Sequence, residues 1–308
     1  MKGLELSRWY YQEMVVPLIH NNFYEYENRI AVGLAGEGSQ CYGYDDELSQ
    51  DHDWGANICL WLTKEDYEKI GMVLEKGLEE LPKKFHGYPC ANISSLGGGR
   101  TGVMTIDFFY KKFLAVSNVP KYYEEWRIIP EHHLAAATNG AVFRDDLGKF
   151  SFIRNGLLKG YPEDVRKKKI AYYCLQSAQS GQYNLPRIVK RGDYVAAQLA
   201  LVEFMKNSIV LVYLLHNRYA PYYKWLFQGL DKFLEPDDDF RVKYADLCEN
   251  STWKKKIMLT EEISQQIINV LQSQKLTDSR SDFLLEHGYE VYSRIEDTAI
   301  KRINPWIL

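Results

Sequence analysis

No two cysteines in this chain stand at metal-ligand spacing: Cys41, Cys59, Cys90, Cys174 and Cys248 are far apart and odd in number. That excludes a C-x-x-C zinc motif and suggests no disulfide framework, so the thiols read as buried or half-buried groups in a reducing cytoplasm. A strong charge bias is missing as well. The 38 Lys and Arg against 41 Asp and Glu leave a formal charge of -3. This gives no global attraction to nucleic acid or to an anionic membrane, although a local basic patch is compatible with it. Long apolar runs are also absent. Met1 to Tyr11 contains Glu5 and Arg8 and lacks the apolar core of a signal peptide. Tyr194 to Leu215 is the best membrane candidate, but Gln198, Glu203, Lys206 and Asn207 interrupt it, and a spanning helix needs about 20 predominantly apolar residues. It reads as a helix buried in a helical domain. A cytoplasmic protein without a membrane partner is expected. The 23 tyrosines suit a core as well as an interface, so oligomeric state stays open.

What is present is a globular composition over 308 residues, 46% hydrophobic and 26% charged, enough for one large domain or two ordinary ones. The first half reads as α/β. Ile30 to Ala35 is a short apolar run that ends in Gly36-Glu37-Gly38-Ser39, as a buried strand leaving the core would. Ile58 to Leu62 is a second strand. Thr63 caps a helix whose Tyr67, Ile70, Leu74, Leu78 and Leu81 share one face. Val103 to Tyr110 reads as a third strand, and a long connection punctuated by Pro120, Pro130, Gly140 and Gly148 follows. From Pro162 onward the pattern is helical, over 164–178, 193–216, 221–234, 260–274 and 278–300. The division expected is an α/β (α+β) domain with a mixed sheet over 1–150 and an all-helical domain over 151–308.

The chemistry concentrates between Gly36 and Trp54. Gly38 lets a ligand approach the backbone, and Ser39 adds a hydroxyl beside N–H donors at a helix start, a corner suited to phosphate oxygens. Asp51 and Asp53, two residues apart where a strand begins, should point to one face. Two such carboxylates repel unless a cation joins them. Mg²⁺ fits, being held by one or two carboxylates plus substrate phosphates, and two ions can stabilise both oxygens of an in-line displacement. Alternation sets Asp107 beside Thr105, opposite Met104, Ile106 and Phe108, as either a metal ligand or the base for an acceptor hydroxyl. Lys224 either reaches a triphosphate or is a solvated lysine beside Trp225.

Other features read as structural. Gly97-Gly98-Gly99-Arg100 is a turn before it is a second phosphate loop. His52 faces away from the acids, and adjacent His132 and His133 seldom face one way. Glu203, Lys206 and Asn207 either line an acceptor pocket or satisfy one another. Lys167, Lys168 and Lys169 read as a solvated helix face.

A glycine-serine turn after a strand, an Asp-x-Asp pair and a third acid on a later strand resemble the polymerase-beta-type nucleotidyltransferase superfamily. The block Ala31 to Trp54 resembles the DUF4037 family within it. Further similarity runs through Asn139-Gly140, Gly148-Lys149-Phe150, Tyr161-Pro162-Glu163 and His216 to Trp225. The helical half is similar to the substrate-side domain of aminoglycoside nucleotidyltransferases.

The resemblance implies Mg²⁺-dependent transfer of a nucleoside monophosphate from ATP or another triphosphate to a hydroxyl acceptor, with pyrophosphate release in a cleft between the domains. Asp51, Asp53 and Asp107 would carry metal and catalysis, and Gly38, Ser39 and Lys224 would hold the nucleotide. A small hydroxylated acceptor is expected first, then a protein side chain or an RNA end. A non-catalytic nucleotide sensor and a toxin–antitoxin component are the alternatives.

Overall fold

Two runs without polar alternation, AVGL and CLWL, become strands buried on both faces, as expected for the middle of a covered sheet. The computed structural model describes residues 1–51, 53–90, 99–249 and 251–308, with the side chain of Asp51 outside that description. His52, Gly97 and Gly98 therefore lie outside the described residues. The chain divides into two compact units, Met1–Lys159 and Gly160–Leu308.

The first unit opens with α1 (Gly3–Tyr10) and α2 (Val16–Asn22), joined by a π-turn. There follow β1 (Ala31–Leu34), the one-turn α3 (Ser39–Tyr42), β2 (Cys59–Leu62) and α4 (Lys64–Glu79). Thr63 caps α4 as expected, its hydroxyl accepting from the Asp66 N–H at 3.1 Å. A small hairpin, β3 (Lys84–Phe85) and β4 (Tyr88–Pro89), precedes β5 (Gly102–Thr105), α5 (Ile106–Leu114), α6 (Tyr123–Ile128), α7 (Glu131–Thr138), β6 (Ala141–Arg144) and α8 (Lys149–Leu158). The four-stranded sheet has the order β5-β2-β1-β6. β2 runs antiparallel to β1 and parallel to β5, and β6 runs antiparallel to β1. The sheet is mixed, as expected.

Both faces are covered. Val32, Leu60 and Leu62 pack with Leu6, Tyr10, Ile19 and Leu74 on one side, each such side chain contributing roughly 1.5–3 kcal/mol. On the other, Trp61 stacks on Phe150 at 3.8 Å and meets Phe109 edge-on at 5.4 Å. That contact binds α8 to the first unit.

Two readings of this half are corrected. The strand expected over Val103 to Tyr110 stops at Thr105, whose hydroxyl accepts from the Phe108 N–H at 2.9 Å and starts α5. The supposed long connection contains α6, α7, the edge strand β6 and α8. A four-residue strand that is half-buried at every position has too little alternation to register in a sequence.

The second unit is helical throughout its described elements: α9 (Glu163–Ser177), a π-turn over Ala178–Asn184, α10 (Leu185–Lys190), α11 (Tyr194–Leu215), α12 (Asp239–Cys248), α13 (Trp253–Ser273), α14 (Leu284–Ser293) and α15 (Thr298–Lys301). By length and composition α11 passes for a membrane span, but it buries Leu201, Phe204, Leu211, Val212 and Leu215 within the fold. The helix expected over 221–234 is two 3₁₀ turns, Tyr223–Trp225 and Gln228–Lys232, with Gly229 inside the second. The one expected over 278–300 begins only at Leu284. Before it, the Glu290 carboxylate accepts the backbone N–H groups of Asp278 and Ser279, both at 2.8 Å, which competes with helical pairing. Glu203, Lys206 and Asn207 satisfy one another: the Glu203 carboxylate accepts from Lys206 at 3.3 Å and from Asn207 at 3.0 Å. Cys248 is exposed, unlike the other four cysteines.

The solvated face assigned to Lys167, Lys168 and Lys169 is also corrected. Lys168 is 0% and Lys169 2% exposed, because these positions turn the α9 stem into the bundle. Lys168 donates to the Asn304 carbonyl at 2.7 Å and lies over the Tyr292 ring. Burial pushes its ammonium down to about 8, below the unfolded value of about 10.4. Below pH 8 the full cost of burying the charge is present. As pH rises from 8 towards 10.4 the unfolded chain binds more protons, so this residue's penalty fades. Lys168→Met should therefore gain on the natural protein most at pH 7, and that advantage should shrink by on the order of 2–3 kcal/mol by pH 10. Urea midpoints at the two pH values measure it, and a difference independent of pH would refute the buried-ammonium account.

Candidate active site

The glycine turn leaving β1 is held from behind. The Asn139 side chain grips Gly36 at both ends of its peptide groups, accepting from the Gly36 N–H at 2.8 Å and donating to the Gly36 carbonyl at 2.7 Å. The Gly140 N–H donates to the Cys41 carbonyl at 2.8 Å, and Arg154 donates to the Thr138 carbonyl at 2.7 Å. These bonds fix the turn, so Gly38 presents its backbone without a neighbour: a Cβ there would meet nothing within 4 Å. Ser39 begins α3, as expected.

A second set of bonds positions the loop before β2. Buried Asp45 accepts from the Trp54 indole N–H at 3.0 Å and from the Gly3 N–H at 2.6 Å. Gln40 donates to the Gly55 carbonyl at 2.8 Å and accepts from Asn57 at 2.8 Å. Trp54 is thereby sunk in the core against Tyr88. Its neighbour Asp53 is left in the left-handed region, with φ 54°, a conformation that costs a non-glycine residue about 1 kcal/mol and that recurs at functional sites.

The expectation that Asp51 and Asp53 share a strand face is corrected here. Asp51 ends a 3₁₀ turn, Leu48–Asp51, and the strand starts only at Cys59, so alternation does not relate the two. Asp53 instead meets Arg100, whose guanidinium lies 3.0 Å from its carboxylate and 3.4 Å from that of Glu37. Lys112 lies 2.8 Å from the same Glu37 oxygen. Burial raises the Glu37 carboxyl, but the hydrogen bond and charge of Lys112, with Arg100 behind them, outweigh it and leave the group below the usual carboxylate range. Among the described residues, two acids and two bases thus meet at the glycine turn.

Asp107 does not join them. β2 and β5 run parallel, with Cys59 opposite Gly102 and Leu62 opposite Thr105. Arg100 precedes the Gly102 end of this pair and Asp107 follows the Thr105 end, roughly 10 Å away at 3.3 Å per strand residue. Asp107 is exposed in the first turn of α5 and lines a recess of about 480 Å³ with Thr63, Lys64, Asn118, Lys149 and Phe152. An acid in a first helical turn is accounted for by the helix dipole. The third acid of the expected metal site is thus corrected: α5 delivers Lys112, not Asp107, to the turn. Among the described residues no three His, Cys, Asp or Glu side chains are grouped to hold a metal ion.

Sequence reading missed Glu37, Arg100 and Lys112. Glu37 stood inside the glycine turn and Arg100 closed the glycine run, but their pairing links residues 63 positions apart and leaves no periodic trace. Lys224 lies in the second unit, exposed in its 3₁₀ turn with its ammonium 4.8 Å from the centre of the Trp225 ring. His133 takes a structural bond with the Phe113 carbonyl at 3.1 Å.

The fold and this site define a mixed-sheet α+β unit with a charged glycine turn, followed by a helical unit. Residues 126–226 match DUF4037, a domain of unknown function. The match includes Asn139, Gly140 and Arg154, which hold the glycine turn, and the segments from Gly148 to Trp225 that resembled the family. The chain is also similar to the solved structure of a nucleotidyltransferase-like protein from Exiguobacterium sibiricum 255-15, at 12% identity over 91% of this chain and 79% of that one, with a TM-score of 0.40. No curated protein matches it.

Proposed function

We propose that the protein is a Mg²⁺-dependent nucleotidyltransferase that moves a nucleoside monophosphate from a triphosphate, ATP first among them, to a hydroxyl acceptor. The observation that carries this reading is the meeting of the Glu37 and Asp53 carboxylates at one guanidinium, beside the open backbone of Gly38. Paired carboxylates that share a cation provide the hard oxygen donors that Mg²⁺ takes. Asp53 and Glu37, with Asp51 beside them in sequence, would hold the metal. Bound there, Mg²⁺ would neutralise phosphate charge and polarise the α-phosphorus.

The chain's own groups do the rest. Gly38 and Ser39 position the phosphates, while Arg100 and Lys112 supply positive charge as pyrophosphate leaves. The acceptor oxygen bonds to the α-phosphorus, the bridge to the β-phosphate breaks, and the acceptor proton passes to water. A small hydroxylated acceptor is favoured, with a protein side chain or an RNA end next. A non-catalytic nucleotide sensor is the second reading, favoured by the ion pairs that already engage Glu37 and Asp53.

Calorimetry on the natural protein and on Asp51→Asn/Asp53→Asn tests the proposal. ATP should bind only with Mg²⁺, and the double variant should bind about a hundredfold more weakly. Equal binding by both proteins, or binding indifferent to Mg²⁺, would overturn it. Pyrophosphate release on a panel of hydroxylated acceptors separates enzyme from sensor.

A further inference from the structure

Arg100 occupies the position between the Glu37 and Asp53 carboxylates that a bound cation would take. Its guanidinium contacts Asp53 Oδ2 through one terminal nitrogen and Glu37 Oε2 through Nε. Both acids are only partly exposed, 18% for the Asp53 side chain and 43% for that of Glu37. With Lys112 on Glu37, the described side chains at the turn set two positive charges against two negative ones. The backbone carbonyl of Arg100 is itself placed by the Cys59 thiol at 3.4 Å, so the guanidinium reaches both acids from a position tied to the sheet.

A divalent ion arriving alone would have to displace Arg100 from both carboxylates and would add its charge to those of Arg100 and Lys112 in a partly buried site, which is unfavourable. A divalent ion arriving with a triphosphate brings its own negative charge. The guanidinium can then leave its single contact on each carboxylate for phosphate oxygens, which it can pair with bidentately. From this balance we infer that Arg100 is a resident cation that makes divalent-metal binding at Glu37 and Asp53 conditional on a triphosphate. The inference rests on the nucleotidyltransferase reading of the site and assigns it a regulation: metal and nucleotide bind as a coupled pair, and free metal is refused.

The test reads Mn²⁺ by electron paramagnetic resonance, with and without ATP, on the natural protein, Arg100→Gln and Arg100→Lys. Without nucleotide, Arg100→Gln should bind Mn²⁺ about tenfold more tightly than the natural protein. With nucleotide it should bind Mn²⁺·ATP more weakly by a similar factor. Arg100→Lys, which keeps the charge, should stay near the natural protein in the first measurement. These opposite signs are the signature, since an arginine that merely supported the loop would weaken both when removed. Mn²⁺ affinity that is unchanged or reduced in Arg100→Gln overturns the inference on Arg100 alone. Failure of the natural protein to bind Mn²⁺·ATP overturns the nucleotidyltransferase reading instead.

Discussion

Gly140→Ala should cost the first unit more than about 4 kcal/mol of stability, while Gly148→Ala, a few residues on, should cost only about 1 kcal/mol. Both glycines sit in nearly the same left-handed conformation, φ 64° and 66°, so the backbone penalty is shared. Their surroundings differ. A Cβ on Gly140 would lie 1.9 Å from the Leu34 carbonyl oxygen and 2.9 Å from the Ala35 Cα, whereas a Cβ on Gly148 meets nothing within 4 Å.

The Leu34 carbonyl cannot simply yield. It belongs to β1 where β6 pairs with it, Leu34 opposite Ala141, and the next residues lead to the peptide groups that Asn139 grips. Moving it breaks the β1–β6 register and the hold on Gly36 together. A loss above about 4 kcal/mol is therefore expected, against a total stability of about 5–15 kcal/mol for a domain. Chemical denaturation of the two variants, side by side, measures it. Comparable midpoints for both would mean that the close approach at Leu34 is relieved cheaply, and that the turn is less firmly held than these contacts imply.

What the sequence disclosed follows the range of the interactions involved. β1, β2 and α4 were legible because each is encoded locally, the strands as unbroken apolar runs and the helix by Thr63 and its apolar face. The glycine turn was legible because Gly36, Gly38 and Ser39 have few other uses in that order. Asp107 was misplaced because two local signals conflict. Ile106, Phe108 and Phe109 favour a strand by side-chain shape, while Thr105 and Asp107 cap and charge the start of a helix. Packing of Phe109 against Trp61 is served by the helix, and the cap decided the matter. Lys168 was misread because a lysine triplet gives no sign of which member will find a carbonyl and a ring inside the bundle. The Glu37–Arg100–Asp53 arrangement was out of reach altogether: it depends on sheet order, since β5 must lie beside β2 for Arg100 to arrive at the turn.

Asp53→Gly should abolish Mg²⁺-dependent ATP binding while leaving the protein folded. On stability, two effects oppose one another. Glycine removes the left-handed strain at φ 54°, a gain of about 1 kcal/mol, and gives up an ion pair whose partners are 31% and 18% exposed, a loss of about 1 kcal/mol for a partly screened contact. Arg100 keeps Glu37, so no charge is left alone. The melting temperature should shift by no more than about 4 °C.

On function the loss falls on the proposed metal site, where Glu37 is the other described acid that touches Arg100. Loss of a carboxylate proposed to hold the metal should weaken Mg²⁺·ATP binding by about a hundredfold or more. Asp53→Asn provides the complement: it keeps a side chain tolerated in the left-handed region and removes only the charge, so it should match Asp53→Gly in binding. If Asp53→Gly unfolds, Trp54 and Gly55 do not anchor this loop independently of the Asp53 ion pair. If it folds and still binds Mg²⁺·ATP, the strain at Asp53 serves something other than the metal. A folded protein with no metal-dependent binding would mean that the loop is built by Asp45, Gln40 and Trp54, and that Asp53 is held in a costly conformation for its carboxylate.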